Sequence, residues 1–425
     1  MNNEQDFSRG KFQRTALEVG EAQSRIMAFA HPLETETVPL GESLGRILAE
    51  PARTAHPFPA FNRSSMDGYA IIADDTTALG ANDILWLEVI EEIPCGTVAQ
   101  KRVESGTAAR IMTGAQLPEG ADAVVMLEAT EGKIADGQRF IGLRKPVSVG
   151  QNITPRGLEL QQDEEVLPAG RLIGAGEIAV LAALGKARVQ VRRRPKVAIF
   201  ATGSELLDVD EPLQPGKIRN SNSPMLEALV RQAGGEPVLL GAVADDLELA
   251  RSKVQMALEH YDLVVTTGGV SVGDYDIMGD LVRERSGEML FNKVAMRPGS
   301  VTTAAVRAGK LLFALSGNPG ACFVGFQLFV RPAMGKMLGA TQPFLPQWMA
   351  VLGEDYTKTN NFTRFMRARL EFHHGMLHAY PAGVDESSVT VTIKDSDCLI
   401  IVPSETVKLD AGARVDILKL PGEFY

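Results

Sequence analysis

Between Lys196 and Met334 the chain alternates apolar runs with amphipathic stretches, and this alternation constrains the fold more than any other feature. Lys196–Ala201 reads as a buried strand, and Ser223-Pro224 opens a helix with a capping serine and a proline in its first turn. That helix places Met225, Leu226, Leu229, Val230 and Ala233 on one face and stops at Gly234-Gly235. Val238–Val243 is the next strand, Leu247–His260 the next helix, and Leu263–Thr267 a third strand. Val301–Val306 and Leu311–Leu315 complete the sheet, and Pro319–Met334 is the last helix. Strands and helices in this order give a mostly parallel, doubly wound sheet covered on both faces.

The flanking segments have other textures. Thr15 to His31 carries apolar residues at helical spacing, and a second helix is expected over Glu42 to Glu50. Residues 51–144 hold short β-like runs between Gly, Pro and Asp-Gly turns, and residues 145–185 return to strand, loop and helix. Alternation in Phe365–Phe372, Val389–Ile393 and Leu399–Val402 makes the C-terminal part β. The expected division is a linker domain from 1–50 and 145–185, a β-rich inserted domain at 51–144, an α/β domain at 186–335, and a β domain at 345–425.

Composition removes several classes of function. The 425 residues carry 43 Lys and Arg against 53 Asp and Glu, a net charge of −10, which disfavours nonspecific nucleic-acid or anionic-membrane binding. Cys95, Cys322 and Cys398 are scattered and odd in number, fitting reduced thiols in a cytoplasmic protein better than a disulfide framework. The polar start lacks the apolar core of a signal peptide, and no uninterrupted apolar stretch is long enough to span a bilayer. His373, His374 and His378 cluster without metal-type spacing.

Two strand-to-helix junctions carry the chemistry. Thr266 to Gly273 is a glycine-rich loop at the carboxyl end of a buried strand, where open α/β sheets bind ligands. Backbone N–H groups of Gly268 and Gly269, with the hydroxyls of Thr267 and Ser271, suit an anion. Ser316-Gly317-Asn318-Pro319-Gly320 offers the same chemistry at a second junction. Gly174-Ala175-Gly176, which satisfies a dinucleotide pattern, is preceded by a loop and followed by Arg192–Arg194, so it reads as a packing helix.

Glu205, Asp245 and Asp276 stand at strand ends of the same sheet. Carboxylates beside an anion site fit either a hard divalent cation such as Mg²⁺ or a heterocycle's N–H groups, and both roles stay open. Lys293 and Arg297 supply nearby cations, whereas Arg364 and Arg367, three apart on a strand, need a turn or bulge to converge.

Together these segments resemble the molybdopterin molybdenumtransferase family, related to the C-terminal domain of gephyrin. The matching stretches are Ser64–Ile71 (SSMDGYAI), Ala109–Glu128, Val197–Leu206, Asn220–Leu226 (NSNSPML), Thr266–Asp276 (TTGGVSVGDYD) and Ser316–Pro332, in order over nearly the whole chain. The resemblance implies a molybdopterin-binding α/β domain and insertion of molybdate into adenylylated molybdopterin, with Mg²⁺ assisting and AMP released. It implies catalytic roles for Asp67, Glu205, Asp245 and Asp276, the last three also as Mg²⁺ ligands. Thr113, Thr267, Gly268, Gly269, Ser271, Lys293, Arg297, Ser316, Gly317, Asn318, Arg364 and Ser388 are then the expected substrate-binding residues. It also implies a homodimer with a shared cleft, Asp67 facing the other chain's α/β domain.

The family's usual KPGKP becomes Arg297-Pro298-Gly299-Ser300-Val301, Gly279 replaces a frequent lysine, and Asp397 stands where asparagine is common. These changes are expected to weaken anion affinity. A phosphohydrolase sharing the α/β domain is opposed by the Asp67-Gly68-Tyr69-Ala70 segment and the C-terminal β domain. A pure scaffold has no need of acids at three strand ends.

Overall fold

The computed structural model describes residues 15–243, 247–268, 287–359 and 361–422. Two compact units divide the chain. One comprises residues up to Glu50, Ala169–Ile178 and Arg188 onward; the other comprises Pro51–Pro168 and Ala179–Ala187.

The first unit is organised by a six-stranded sheet. Its order is Glu236–Val243, Lys196–Thr202, Leu263–Thr267, Lys310–Leu315, Thr303–Arg307 and Gly287–Phe291. The first four strands are parallel, with Val197 beside Leu263 and Val265 beside Phe313; Thr303–Arg307 then pairs antiparallel with both Lys310–Leu315 and Gly287–Phe291. Side-chain alternation splits each apolar strand between two cores. Val197, Ile199, Leu263 and Val265 pack toward the helices Asn222–Gln232 and Pro319–Gly325. Ala198, Phe200 and Val264 pack on the other side against Ala250, Val254 and Ala257 of the helix Leu247–His260. Both faces are therefore covered, as the strand–helix alternation requires.

The helix after Lys310–Leu315 continues past Gly325 through a π-helical stretch, Phe326–Val330, to Arg331–Met337. Following it, Gln347–Leu352, Thr363–His373, Met376–Pro381, Cys398–Val402 and Arg414–Lys419 form a sheet that closes on itself where Thr363–His373 pairs Cys398–Val402. Closure leaves this five-stranded barrel without free edges around Ala350, Met366, Ile400 and Ile417.

The second unit holds another six-stranded sheet, ordered Ala123–Met126, Gly68–Ile71, Thr107–Ile111, Leu85–Ile93, Gln138–Leu143 and Glu131–Ala135. Neighbours alternate between its faces. Ile71, Ala108 and Val125 join one cluster, and Ala70, Ala109 and Val124 the other.

Several local expectations are corrected. The first helix is Val19–Phe29, shorter than expected. Glu42 to Glu50 is not a helix: only the turn Leu40–Glu42 winds, Gly45 takes φ +72°, and Leu48 N–H donates to Arg171 O at 2.9 Å. Pairing with distant segments outcompetes the local helix there. Ser223 is not the cap of its helix; the Asn220 side chain accepts the Ser223 N–H at 3.1 Å instead. Val389–Ile393 is not a strand, because a 3₁₀ helix, Val391–Asp395, takes its place. The GxGxxA match is a helix start in which Gly174 N–H donates to Glu177, leaving it unavailable to a phosphate.

Candidate active site

The carboxyl ends of three parallel strands enclose a pocket of about 770 Å³. Ala201, Thr202 and Gly203 come from one strand end, Thr267 and Gly268 from the next, and Ser316, Gly317 and Asn318 from the third. Parallel strands put all their carboxyl ends on one edge, so loops distant in sequence meet there. Asn220 and Asn222 form one rim at the start of their helix, and Ser388 and Thr390 form another.

The glycine loops touch closely. Gly268 has φ +84°, and a Cβ there would lie 2.1 Å from Thr202 O, so no other residue fits. Its N–H donates to Leu315 O at 3.3 Å, and the hydroxyl of Thr267, 1% exposed, donates to Ser316 O at 3.0 Å. These groups, which the sequence alone offers to an anion, tie the two loops together. Asn318 Nδ2 donates to Ser387 Oγ at 3.1 Å, and Gly320 N–H to Ser387 O at 2.9 Å. The second loop is thereby bound to the Asp385–Thr390 segment of the C-terminal barrel.

That segment is the destination of Arg364 and Arg367, two of the three arginines on the Thr363–His373 strand. Arg364 pairs with Asp385, while Arg367 donates to Glu386 O and Val389 O, each at 2.8 Å. The strand keeps regular pairing with Cys398–Val402, so no bulge brings the arginines together; the loop wraps to meet both. Arg367 is 3% exposed, and burial lowers its pKa although Asp385 opposes the shift. Ser388 and Thr390 reach the pocket on a wall held by buried charge.

Glu205 lies exposed in the pocket lining, and its own backbone carbonyl accepts Ile218 N–H at 2.9 Å. Asp245, Asp276, Gly269 and Ser271 lie outside the described residues, as does Gly279. Lys293 and Arg297 are not in the pocket lining: the Lys293 carbonyl accepts Leu17 N–H, and Arg297 is exposed on the short strand Met296–Arg297. The Asp397 carboxylate accepts Leu370 N–H at 2.8 Å, which gives it a place in the barrel seam.

In the other unit the structure joins two candidates. Asp67 Oδ1 accepts both the N–H of Thr113, at 2.7 Å, and its hydroxyl, at 2.8 Å. The Thr113 backbone and then its hydroxyl hold the Asp67 carboxyl below its ordinary range, with Arg110 adding to them. Sequence reasoning did not assign Asn220, Asn222 or Thr390 to the site. The paired asparagines before an apolar helix were a signal, because a short amide side chain there can cap and still face the strand ends.

A doubly wound sheet with a polar pocket over its parallel strand ends defines a small-molecule enzyme of the α/β class. Comparison with known proteins narrows the class. Residues 17–185 match the MoeA N-terminal region (domain I and II), 198–336 the probable molybdopterin binding domain, and 349–420 the MoeA C-terminal region (domain IV). The molybdopterin molybdenumtransferase of Bacillus subtilis (strain 168) is 44% identical over 97% of this chain and 96% of its own length. That of Staphylococcus aureus (strain N315) is 44% identical, with 96% of each chain covered. The crystal structure of the molybdopterin biosynthesis moeA protein from Pyrococcus horikoshii OT3 superimposes with a TM-score of 0.82 at 32% identity, covering 96% of this chain and all of that one. The chain belongs to the molybdopterin molybdenumtransferase family and is an enzyme of molybdenum cofactor biosynthesis.

Proposed function

We propose that the protein inserts molybdate into the dithiolene of adenylylated molybdopterin and releases AMP, with Mg²⁺ assisting. The observation that carries this reading is the pocket of about 770 Å³, where two glycine loops, Glu205 and Ser388 surround space for a heterocycle with anionic groups. Gly268, Thr267, Ser316, Gly317 and Asn318 shape its floor, and Ser388 supplies a hydroxyl from the barrel. Lys293 and Arg297 contribute positive potential rather than direct contacts, while Arg364, paired with Asp385, holds the wall that carries Ser388.

Glu205, with Asp245 and Asp276, serves as the acidic group of the reaction and as the oxygen ligands of Mg²⁺. Among the described residues no three acidic, histidine or cysteine side chains gather as a metal cage. One or two carboxylates with substrate oxygens and water are the arrangement Mg²⁺ favours, and an exposed Glu205 at the pocket fits it. When bound, the ion would offset charge developing on the phosphate as AMP leaves. The enzyme acts as a cytoplasmic homodimer, with the Asp67–Thr113 pair of one protomer completing the pocket of its partner. None of the described helices is long and apolar enough to cross a membrane.

The test is molybdate-dependent AMP release by the purified protein with Mg²⁺ and adenylylated molybdopterin. Asp276→Ala is expected to abolish it. Wild-type protein that releases no AMP would overturn the reading.

A further inference from the structure

We infer that Asn222 is a positioning residue that sets the spacing of the two glycine loops on the pocket floor, acting through Thr267 and Gly317. The inference deepens the functional reading above and rests on it. Asn222 opens the helix Asn222–Gln232 and is 7% exposed. Its Nδ2 donates one hydrogen to Thr267 Oγ1 and the other to Gly317 O, both at 2.8 Å. Thr267 passes its own hydroxyl hydrogen to Ser316 O. One amide therefore touches both loops, and three hydrogen bonds connect residue 267 to residues 316 and 317.

The loops it ties are already at contact distance. A Cβ built on Gly317 would stand 3.4 Å from Gly268 Cα. The amide orientation follows from its partner, since Gly317 O can only accept. That orientation leaves Asn222 Oδ1 buried without a hydrogen-bond partner among the described residues. A buried acceptor left open is destabilising, and such groups call for a reason other than stability. Here the reason is geometric: no other short side chain gives two hydrogens in the plane that links the loops. An aspartate would give neither at neutral pH and would place a charge beneath an anion.

A residue that preorganises a binding floor changes affinity, whereas one that only supports folding changes the number of active molecules. The test is steady-state AMP release by wild type, Asn222→Ala, Thr267→Val and the double variant, with melting temperatures measured alongside. Each single variant should raise KM for adenylylated molybdopterin about tenfold with kcat much less affected. The double variant should also stay near about tenfold, because both substitutions break one network. A KM within about twofold of wild type, loss confined to kcat, or effects that multiply to about a hundredfold would each overturn the inference. Should Asn222→Ala not fold, Asn222→Ser keeps one donor and carries the same test: an intermediate KM supports the inference, and a wild-type KM overturns it. If wild type releases no AMP, the functional reading fails separately. Equilibrium binding of AMP to the same proteins then decides the role of Asn222, about tenfold weaker binding supporting it and unchanged binding overturning it.

Discussion

The two ends of the parallel sheet are built on opposite plans. At the amino ends, Asp262 precedes the strand Leu263–Thr267 and accepts both arms of Arg193, at 2.7 and 2.8 Å, and the N–H of Lys196 at 2.8 Å. Arg193 also reaches Glu34. Burial would raise the Asp262 pKa, but Arg193 and the Lys196 N–H together lower it. Every arm of Arg193 has a partner, and neither Arg193 nor Asp262 lines the pocket at the carboxyl ends. At the carboxyl ends, polar groups line about 770 Å³ of open space, and Asn222 keeps an oxygen with no partner among the described residues. One end stores stability; the other holds side chains in arrangements that stability alone does not favour.

The largest expected effect comes where that division blurs, at the barrel-borne wall. Arg367→Ala removes a buried guanidinium and leaves the carbonyls of Glu386 and Val389 without their donors. It should cost about 3 kcal/mol in urea unfolding and raise KM together with it. A loss of stability with KM unchanged would detach the wall from binding. Next in size, Asp262→Ala should cost about 2 kcal/mol and leave AMP release unaltered, since it dismantles only the closed end. A fall in kcat/KM with this variant would show that the two ends are coupled.

Smaller effects sharpen the comparison. Ser388→Ala should raise KM about fivefold without a measurable change in melting temperature, because its exposed hydroxyl serves the pocket rather than the fold. The smallest effect is a pH dependence at Asp67. Its carboxyl is held below the ordinary value of 3.8, so its contribution is full above that value and is lost as pH falls through the lowered one. The gap in urea midpoint between wild type and Asp67→Asn should be present near about pH 6 and shrink below about pH 4. A gap that stays constant into strong acid would contradict the hydrogen bonds to Thr113.

What could be read from the sequence follows this same geography. The strands Lys196–Thr202 and Leu263–Thr267 and the helix Leu247–His260 fall within a residue of where apolar patterning puts them, because burial on both faces writes itself into local composition. Leu48, Val391 and Ser223 misled because their partners are not local patterns: Leu48 bonds Arg171, the residues before Val391 are gripped by Arg367, and Ser223 is capped by Asn220. The pocket's position was legible from the glycine loops. The division of labour within it was not, because Thr267 and Arg364 look like ligand contacts until their partners Ser316 and Asp385 are seen across the fold.

Glu205 is the acid among the described residues that line the pocket at the carboxyl ends of the sheet, where the proposed chemistry is placed. The most direct measurement is molybdate-dependent AMP release by Glu205→Gln beside wild type, with unfolding followed on the same samples. Turnover should fall by about a hundredfold or more while the melting temperature stays within about 2 °C. Wild-type turnover in Glu205→Gln would contradict it.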